Sequence, residues 1–185
     1  MNNDADLVSQ VLKGDRKAFQ RLVQRHERLV WHMVSRISNR PTDSEDICQE
    51  VFLRVYQKLP TFRFQSKLST WIATVAYRTA INYVQHEEKY STEDLSQTAL
   101  TACTMPNAQK QLEKQALHTF VHEQIRELPV HYRTVLTLFH LEEMSISEIQ
   151  DITGMPSGTV KNYLFRARKL LKNRLQKRFL TEELK

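Results

Sequence analysis

Acidic residues cluster in one short stretch of the chain, at Asp43, Glu45, Asp46 and Glu50. Paired carboxylates can perform general acid–base catalysis, but neither a histidine nor a glycine-rich loop accompanies this group. Two other interpretations fit better. Acidic side chains stabilise the N-terminal end of a helix, which accounts for Asp43, Glu45 and Asp46 more readily than for Glu50. The same side chains could instead form an acidic docking patch for a basic partner.

Metal binding is the second chemistry that the residue types allow. His118 and His122 are spaced i, i+4 and would share one face of a helix, and Cys103 precedes them in the sequence. No third ligand is adjacent to the pair, and two histidines at this spacing also suit a solvated helix face. The sequence therefore predicts no metal ion and no cofactor.

Net charge and cysteine content limit the kinds of partner and the cellular compartment that fit this chain. Lys and Arg number 27 against 21 Asp and Glu, which gives a net charge of +6. This excess suits a polyanion such as nucleic acid, although a mildly basic protein without such a partner has the same composition. Cys48 and Cys103 form no Cys-x-x-Cys pair, and neither a signal peptide nor a membrane-spanning stretch is visible. These features predict a cytoplasmic protein with free thiols and no membrane insertion.

Helices are predicted to carry all of these residues. The chain has only 3 glycines and 5 prolines, and apolar residues recur at helical spacing in two blocks. Residues 87–111 between the blocks show no apolar period. The predicted fold is therefore all-α, with two small helical domains at 1–86 and 112–185 joined by a flexible linker at 87–111.

The second domain contains a pattern typical of a helix-turn-helix between residues 146 and 160. Ser147 is predicted to cap the first helix, and Gly154 to end it with a positive φ. Pro156 prevents the first helix from continuing, and Ser157 is predicted to cap the second. A second helix placed in this way can lie in the major groove of DNA.

Helical periodicity divides this second helix into two faces. The core face is predicted to hold Val160, Leu164, Ala167 and Leu171. The opposite face presents Gly158, Asn162, Phe165 and Lys169, flanked by Lys161 and Arg166. The 8 basic residues from Lys161 to Arg178, with no acidic residue among them, suit contacts to DNA phosphates. A solvated basic helix with Phe165 packed on a neighbour is the alternative.

The first domain carries a second candidate surface in the helix that starts near Ser69. Ile72, Ala76, Thr79 and Tyr83 share its predicted core stripe, whereas Thr70, Tyr77 and Arg78 face away, with Trp71 and Asn82 at the margins. The loop before this helix adds Phe64 and Lys67. Aromatic rings beside cations and amides suit single-stranded DNA, since unpaired bases stack on the rings. Packing of the same rings in the core is equally open.

A longer pattern runs through the C-terminal domain: Leu128-Pro129, Arg133, Glu148-Ile149, Gly154, Pro156, Gly158-Thr159-Val160-Lys161 and Arg166-Ala167-Arg168. It resembles the fourth conserved region of extracytoplasmic-function (ECF) sigma factors, which reads the −35 promoter element. The resemblance implies a −35 DNA-binding set of Ser157, Thr159, Lys161, Asn162, Phe165, Arg166 and Lys169. Tyr163 departs from the family, which often has arginine there.

The first domain shows a matching resemblance to the same family. The stretch from Asp43 to Phe52 is similar to its core-binding segment, and 69–73 with 80–83 resemble its −10 recognition segment. The implied core polymerase-binding residues are Asp43, Asp46, Gln49 and Glu50, which would dock on the clamp helices of the polymerase β′ subunit. The implied −10 DNA-binding residues are Phe64, Lys67, Thr70, Trp71, Tyr77, Arg78 and Asn82. Arg78 departs from the family, many members of which have asparagine there.

The resemblance implies an RNA polymerase sigma factor, without enzymatic activity of its own, that binds core polymerase and promoter DNA. It also implies an anti-sigma factor as a partner. Two rivals from other classes stay open. A helix-turn-helix regulator with an effector-binding N-terminal domain would bind duplex DNA alone, usually as a dimer on a palindrome. A helical adaptor would bind protein and show no salt-dependent affinity for DNA.

Overall fold

The computed structural model describes the backbone of residues 4–38, 41–90, 120–121 and 123–182, and within these ranges the side chains of 4–38, 43–86, 120–121 and 123–176. The helices are α1 (Asp4–Leu12), α2 (Arg16–Ile37), α3 (Pro41–Lys58), α4 (Leu68–Tyr90), α5 (Val130–His140), α6 (Ile146–Thr153) and α7 (Ser157–Glu182). A 3-10 turn at Leu59–Thr61 follows α3, and residues 123–126 are helical. The described ranges contain no strand, and the prediction of an all-α fold is confirmed.

The N-terminal domain packs α1, α3 and α4 around the long helix α2. Asp15 starts α2, because its carboxylate accepts hydrogen bonds from the amides of Lys17 (2.8 Å) and Ala18 (3.2 Å). Pro60 ends α3 and leaves a single 3-10 turn, in which the Phe62 amide bonds the Leu59 carbonyl. The buried side chains that α3 and α4 contribute include Ile47, Val51, Val55, Ile72, Ala76 and Thr79.

The C-terminal domain packs α5, α6 and α7 against one another. Pro129 precedes α5, and its carbonyl accepts a hydrogen bond from the Arg133 amide. An N–H at the start of a helix has no partner inside the helix, so the missing N–H of proline costs nothing there. The core face predicted for the last helix is confirmed, since Val160, Leu164 and Ala167 are buried and Leu171 is half-buried.

The two domains pack on each other in the structure. α2 lies against α5 and α4 lies against α6, and one apolar cluster holds residues of both domains, such as Ile72 and Ile149. Arg133 donates through Nη2 to the carbonyl of Ile37 (2.9 Å), and His32 Nδ1 lies 2.5 Å from Glu142 Oε1.

The predicted linker at 87–111 begins four residues inside α4, which continues to Tyr90. Glu87, Glu88 and Lys89 are good helix formers and carry the helix on. Residues 91–119 lie outside the described ranges. The domain boundaries therefore remain predictions.

Candidate nucleic-acid interface

The helix-turn-helix begins with a capping box at Ser145. The Ser145 hydroxyl accepts from the Glu148 amide (3.2 Å), and the Glu148 carboxylate accepts from the Ser145 amide (2.9 Å). Gly154 ends α6 with φ 74, as predicted, and its amide bonds the Gln150 carbonyl at 2.8 Å. This geometry turns the chain into α7 within three residues.

Both predicted serine caps are wrong. α6 already begins at Ile146, so Ser147 lies inside the helix and Ser145 is the cap. α7 begins at Ser157 itself, and the carbonyl of Pro156 accepts from the Val160 amide (3.1 Å). The Ser-x-x-Glu spacing from Ser145 was the signal that identifies the first cap.

One face of α7 projects into solvent. Phe165 is 66% exposed, so the alternative in which it packs on a neighbour is excluded for this structure. Lys161, Asn162, Arg166 and Lys169 are exposed with it, while Ser157 and Thr159 in the first turn are half-buried. The implied −35 residues therefore lie together on and beside one basic helical face.

Arg168 lies on the same helix and belongs to the Arg166-Ala167-Arg168 pattern, but it was not among the predicted −35 residues. Its guanidinium lies over the Phe139 ring, 5.3 Å from the centroid, and its Nε donates to His140 Nε2 at 3.2 Å. Burial and then the Arg168 charge lower the pKa of His140, which keeps its Nε2 available as an acceptor at neutral pH. α5 thus fixes one cation beside the exposed face of α7.

The outer face of α3 carries the residues implied in polymerase docking. Asp46 and Gln49 are exposed, Asp43 is half-buried, and Glu50 pairs with Arg54 one turn on (2.6 Å). Two exposed apolar side chains lie among them: Leu53 (59% exposed) and Tyr56 (50% exposed). Sequence analysis missed both, although their spacing from Gln49 and Glu50 places them on the same helical face.

Cys48 lies on the half-buried side of α3 and packs against the core. Burial, and then the nearby charge of Glu45, raise the pKa of its thiol to about 11. The thiol therefore stays protonated at neutral pH and acts as a small apolar group.

Three aromatic rings form a connected group where the loop enters α4. Buried Phe62 lies between exposed Phe64 and half-buried Trp71, with ring centroids 4.6 Å and 5.3 Å away. Phe64 has a left-handed backbone (φ 56), which is uncommon for a bulky residue and typical of functional loops. Phe62 was not selected from the sequence, but it supports both rings. Lys67, Arg78 and Asn82 are exposed.

Thr70 and Tyr77 depart from their predicted positions. Both were expected to face away from the core, yet they are 1% and 8% exposed. The reason is tertiary: α6 covers this side of α4, and Glu148 Oε1 lies 3.5 Å from Thr70 Oγ1. Tyr83, expected in the core stripe, is 36% exposed because it lies beyond Ala80, the last fully buried residue among the α4 side chains that the structure describes.

Two expectations from the sequence concerned metal binding and membranes. Within the described ranges, no group of three or more His, Cys, Asp or Glu side chains could hold a metal ion, and no helix is long and apolar enough to cross a membrane. Cys103, His118 and His122 lie outside the residues whose side chains are described.

The fold and the basic α7 face define a helical DNA-binding protein built on a helix-turn-helix. Family models for Sigma-70 region 2 and Sigma-70, region 4 match residues 22–90 and 121–171. The ECF RNA polymerase sigma-E factor of Escherichia coli is 34% identical over 182 residues, covering 94% of each chain. That of Haemophilus influenzae is 33% identical over 183 residues, covering 94% of this chain and 95% of the relative. The chain therefore belongs to the ECF sigma factors, which direct RNA polymerase to initiate transcription at specific promoters.

Solved structures share the fold. CnrH in complex with the cytosolic domain of CnrY has a TM-score of 0.65 at 19% identity, covering 92% of this chain and 95% of CnrH. The sigma factor RpoE in complex with the anti-sigma factor NepR from Bartonella quintana has a TM-score of 0.67 at 18% identity, covering 86% and 98%. At these identities the likeness establishes the all-helical architecture.

Proposed function

We propose that three surfaces of the chain, on α3, α4 and α7, each perform one part of promoter recognition and initiation. The outer face of α3 docks on the β′ clamp helices of core polymerase, α4 with its preceding loop captures unpaired bases of the −10 element, and α7 lies in the −35 major groove. The exposed, basic and phenylalanine-bearing face of α7 is the observation that carries this proposal.

For docking, the α3 face combines apolar anchors with acids. Leu53 and Tyr56 each expose half or more of their surface. Glu50 lies one turn before Leu53, and Asp46 lies one turn before Glu50. Interfaces commonly have aromatic or aliphatic anchors surrounded by charges that select the partner. This arrangement fits a helical partner with an apolar ridge and basic flanks.

For the −10 element, the Phe64–Phe62–Trp71 group supports base stacking. Extruding a base from a duplex costs a few kcal/mol, and stacking on an aromatic ring returns about 1–3 kcal/mol per base. Phe64 is exposed in the loop, and the exposed cations Lys67 at the end of the loop and Arg78 on α4 are expected to meet phosphates. The departure at Arg78 bears on which base is captured, because arginine and asparagine present different hydrogen-bonding groups.

For the −35 element, Asn162, Phe165 and Arg166 are the side chains expected to reach the bases. Asparagine can pair bidentately with adenine, arginine can pair with guanine, and phenylalanine can contact a thymine methyl group. Lys161 and Lys169 are exposed, and they are expected to contact phosphates on either side.

The chain acts in the cytoplasm, has no enzymatic activity, and leaves phosphodiester chemistry to the polymerase. An anti-sigma factor is its expected inhibitor, since the similar RpoE structure holds the anti-sigma factor NepR.

Reconstitution tests the proposed function directly. The purified chain is added to bacterial core polymerase and genomic DNA, and transcript starts are mapped. Starts at a shared pair of upstream elements, absent without the chain, are expected. Failure to associate with core polymerase at low salt would contradict the proposal. Duplex binding by a dimer without polymerase would favour a conventional regulator. The absence of any salt-dependent affinity for DNA would favour an adaptor that binds only protein.

A further inference from the structure

The exposed face of α2 carries a group of cations that none of the three proposed surfaces includes. Six residues of α2 are Lys or Arg and only one, Glu27, is acidic. Exposed side chains recur along α2 at i, i+4, i+7, i+11 and i+14, which is the spacing of one helical face. These are Lys17, Arg21, Gln24, Arg28 and Trp31, and together with the neighbouring Arg25 they form the α2 stripe.

The α2 stripe lies opposite the side of α2 that packs in the N-terminal domain. Leu22, His26 and Met33 are buried in that domain. At about 100° per residue, these three residues lie on the far side of the helix from Lys17 and Arg28. The stripe is therefore a surface of its own, separate from the packing of α2 on α3 and α4.

The first helix orients two cations of the stripe. Arg21 Nη2 donates to Gln10 Oε1 (2.6 Å), and Arg25 Nη1 donates to Asp4 Oδ1 (2.9 Å). Gln10 carries no charge, and the Arg25–Asp4 pair is exposed on both sides (37% and 43%), so solvent screens it. α1 thus holds two guanidinium groups in place and leaves most of the positive charge of the stripe.

The distribution of charge on this face differs from that of an ordinary solvated helix. Solvated faces usually mix both signs, because like charges one turn apart destabilise a helix. Lys17, Arg21 and Arg25 follow one another at exactly one-turn spacing, with Arg28 next. Trp31, at the end of the stripe, is 42% exposed. Arginine and tryptophan are both enriched in interfaces, so these features point to a polyanionic partner.

The length of the α2 stripe suits a nucleic-acid backbone. Lys17 and Trp31 are about 21 Å apart along the helix axis, at a rise of 1.5 Å per residue. Phosphates of one DNA strand follow one another at about 3.4 Å along the duplex axis, so about six of them match this length. Lysine and arginine bind phosphates without reading the bases.

We propose that the α2 stripe binds the phosphate backbone of promoter DNA when the chain is bound to polymerase, and that it adds affinity without sequence preference. The chain acts at promoters, so a polyanion with regularly spaced charges is present in every complex in which it functions. This fourth surface goes beyond the proposed function and does not depend on the roles of α3, α4 and α7.

Lys17→Gln combined with Arg28→Gln tests the proposal. Both positions are exposed, and glutamine is a good helix former, so α2 is retained. The two arginines that α1 holds are left unchanged. The matched control is Lys17→Arg combined with Arg28→Lys, which keeps both charges. Each chain is assembled with core polymerase, and binding to a promoter mapped by the reconstitution above is measured by fluorescence anisotropy over a range of KCl concentrations, without nucleotides.

The plot of log affinity against log salt concentration should become shallower by about 2 in the glutamine variant, the effect of two lost phosphate contacts. The control variant should keep the wild-type slope. An unchanged slope in the glutamine variant would overturn the inference and leave the proposed function intact. Weaker association of that variant with core polymerase would assign the stripe to an acidic protein surface and would also overturn it. A wild-type holoenzyme that binds no promoter would contradict both proposals.

Photocrosslinking gives a second readout that does not require removal of any charge. Gln24→p-azidophenylalanine places a photoreactive group in the middle of the stripe, at an exposed position. Irradiation of the promoter complex should join this residue to DNA. Crosslinks to polymerase subunits alone, or no crosslink to DNA, would overturn the inference.

Discussion

Phe165 shows at the scale of a single residue how exposure points to function. An aromatic ring that is 66% exposed on a helix whose opposite stripe is buried adds little to stability. Burial of the ring contributes free energy only when a partner covers it, as at the base edges of a major groove.

Phe165→Ala should therefore weaken −35-dependent initiation by about 1–3 kcal/mol, the usual value of a base contact. Its thermal unfolding and its affinity for core polymerase should match those of wild type. Leu170→Ala is the control, since Leu170 is also exposed on α7 (39%). Abortive transcription from matched promoters measures the effect, and an equal loss of polymerase binding would contradict the assigned role.

Glu50→Lys should have the opposite pattern, with polymerase binding reduced and isolated −35 DNA binding unchanged. The Glu50–Arg54 ion pair is about half exposed on both sides, so its loss should change the free energy of unfolding by less than about 1 kcal/mol. Glu27→Lys makes the same charge change at an exposed position on α2. Co-purification with core polymerase distinguishes them, and equal behaviour of the two variants would refute docking at α3.

Most of the exposed α7 residues that are proposed to face DNA could be selected from the sequence, because helical periodicity alone separates Phe165 from Val160 and Leu164. The periodicity of apolar residues does not select Leu53 and Tyr56, because such residues spread over half of the circumference of α3. Their spacing from Gln49 and Glu50 was the available signal, and packing separates them from the buried Val51 and Val55.

At the scale of elements, the start of the helix-turn-helix depends on one serine. Ser145→Ala removes an N-cap hydrogen bond and should lower the free energy of unfolding by about 1 kcal/mol. Ser147→Ala should change it by less than about 0.5 kcal/mol, because Ser147 is exposed inside α6. Urea denaturation of the two variants measures the difference, and a larger effect at Ser147 would contradict the assigned cap.

Helix boundaries were the weaker part of what could be predicted. The existence of α3, α4, α6 and α7 follows from apolar spacing, but their ends depend on local hydrogen bonds that several neighbouring residues could make. Two serines two residues apart compete for one cap at α6. The end of α4 was placed too early because polar residues without an apolar period can still be helical.

At the scale of the whole molecule, the ion pair between Glu148 Oε1 and Lys67 Nζ (2.9 Å) predicts a pH dependence. The pKa of Glu148 falls from an ordinary 4.5 to about 2 in the folded chain. Its stabilising contribution is therefore complete above pH 4.5 and is lost as the pH falls toward 2. Wild type should be more stable than Glu148→Gln at neutral pH, and this gap should close across that window. Denaturation curves at several pH values measure it, and a gap that is constant with pH would contradict the ion pair.

The packing of one domain on the other could not be predicted from the sequence. Thr70 and Tyr77 looked like solvent-facing residues because periodicity describes a helix against its nearest core, and it does not include a second domain that covers the other side. Arg133 is similar: its buried bond to the Ile37 carbonyl joins residues 96 positions apart.

The apolar cluster that contains Ile72 and Ile149 also makes the packing of the two domains depend on temperature. Exposing apolar surface to water raises the heat capacity, so the attraction between the domains weakens on cooling. Cold conditions should therefore favour the free chain with its two domains separated. Contacts between lysine or arginine and DNA phosphates do not depend on apolar burial, so cooling should not weaken them in the same way.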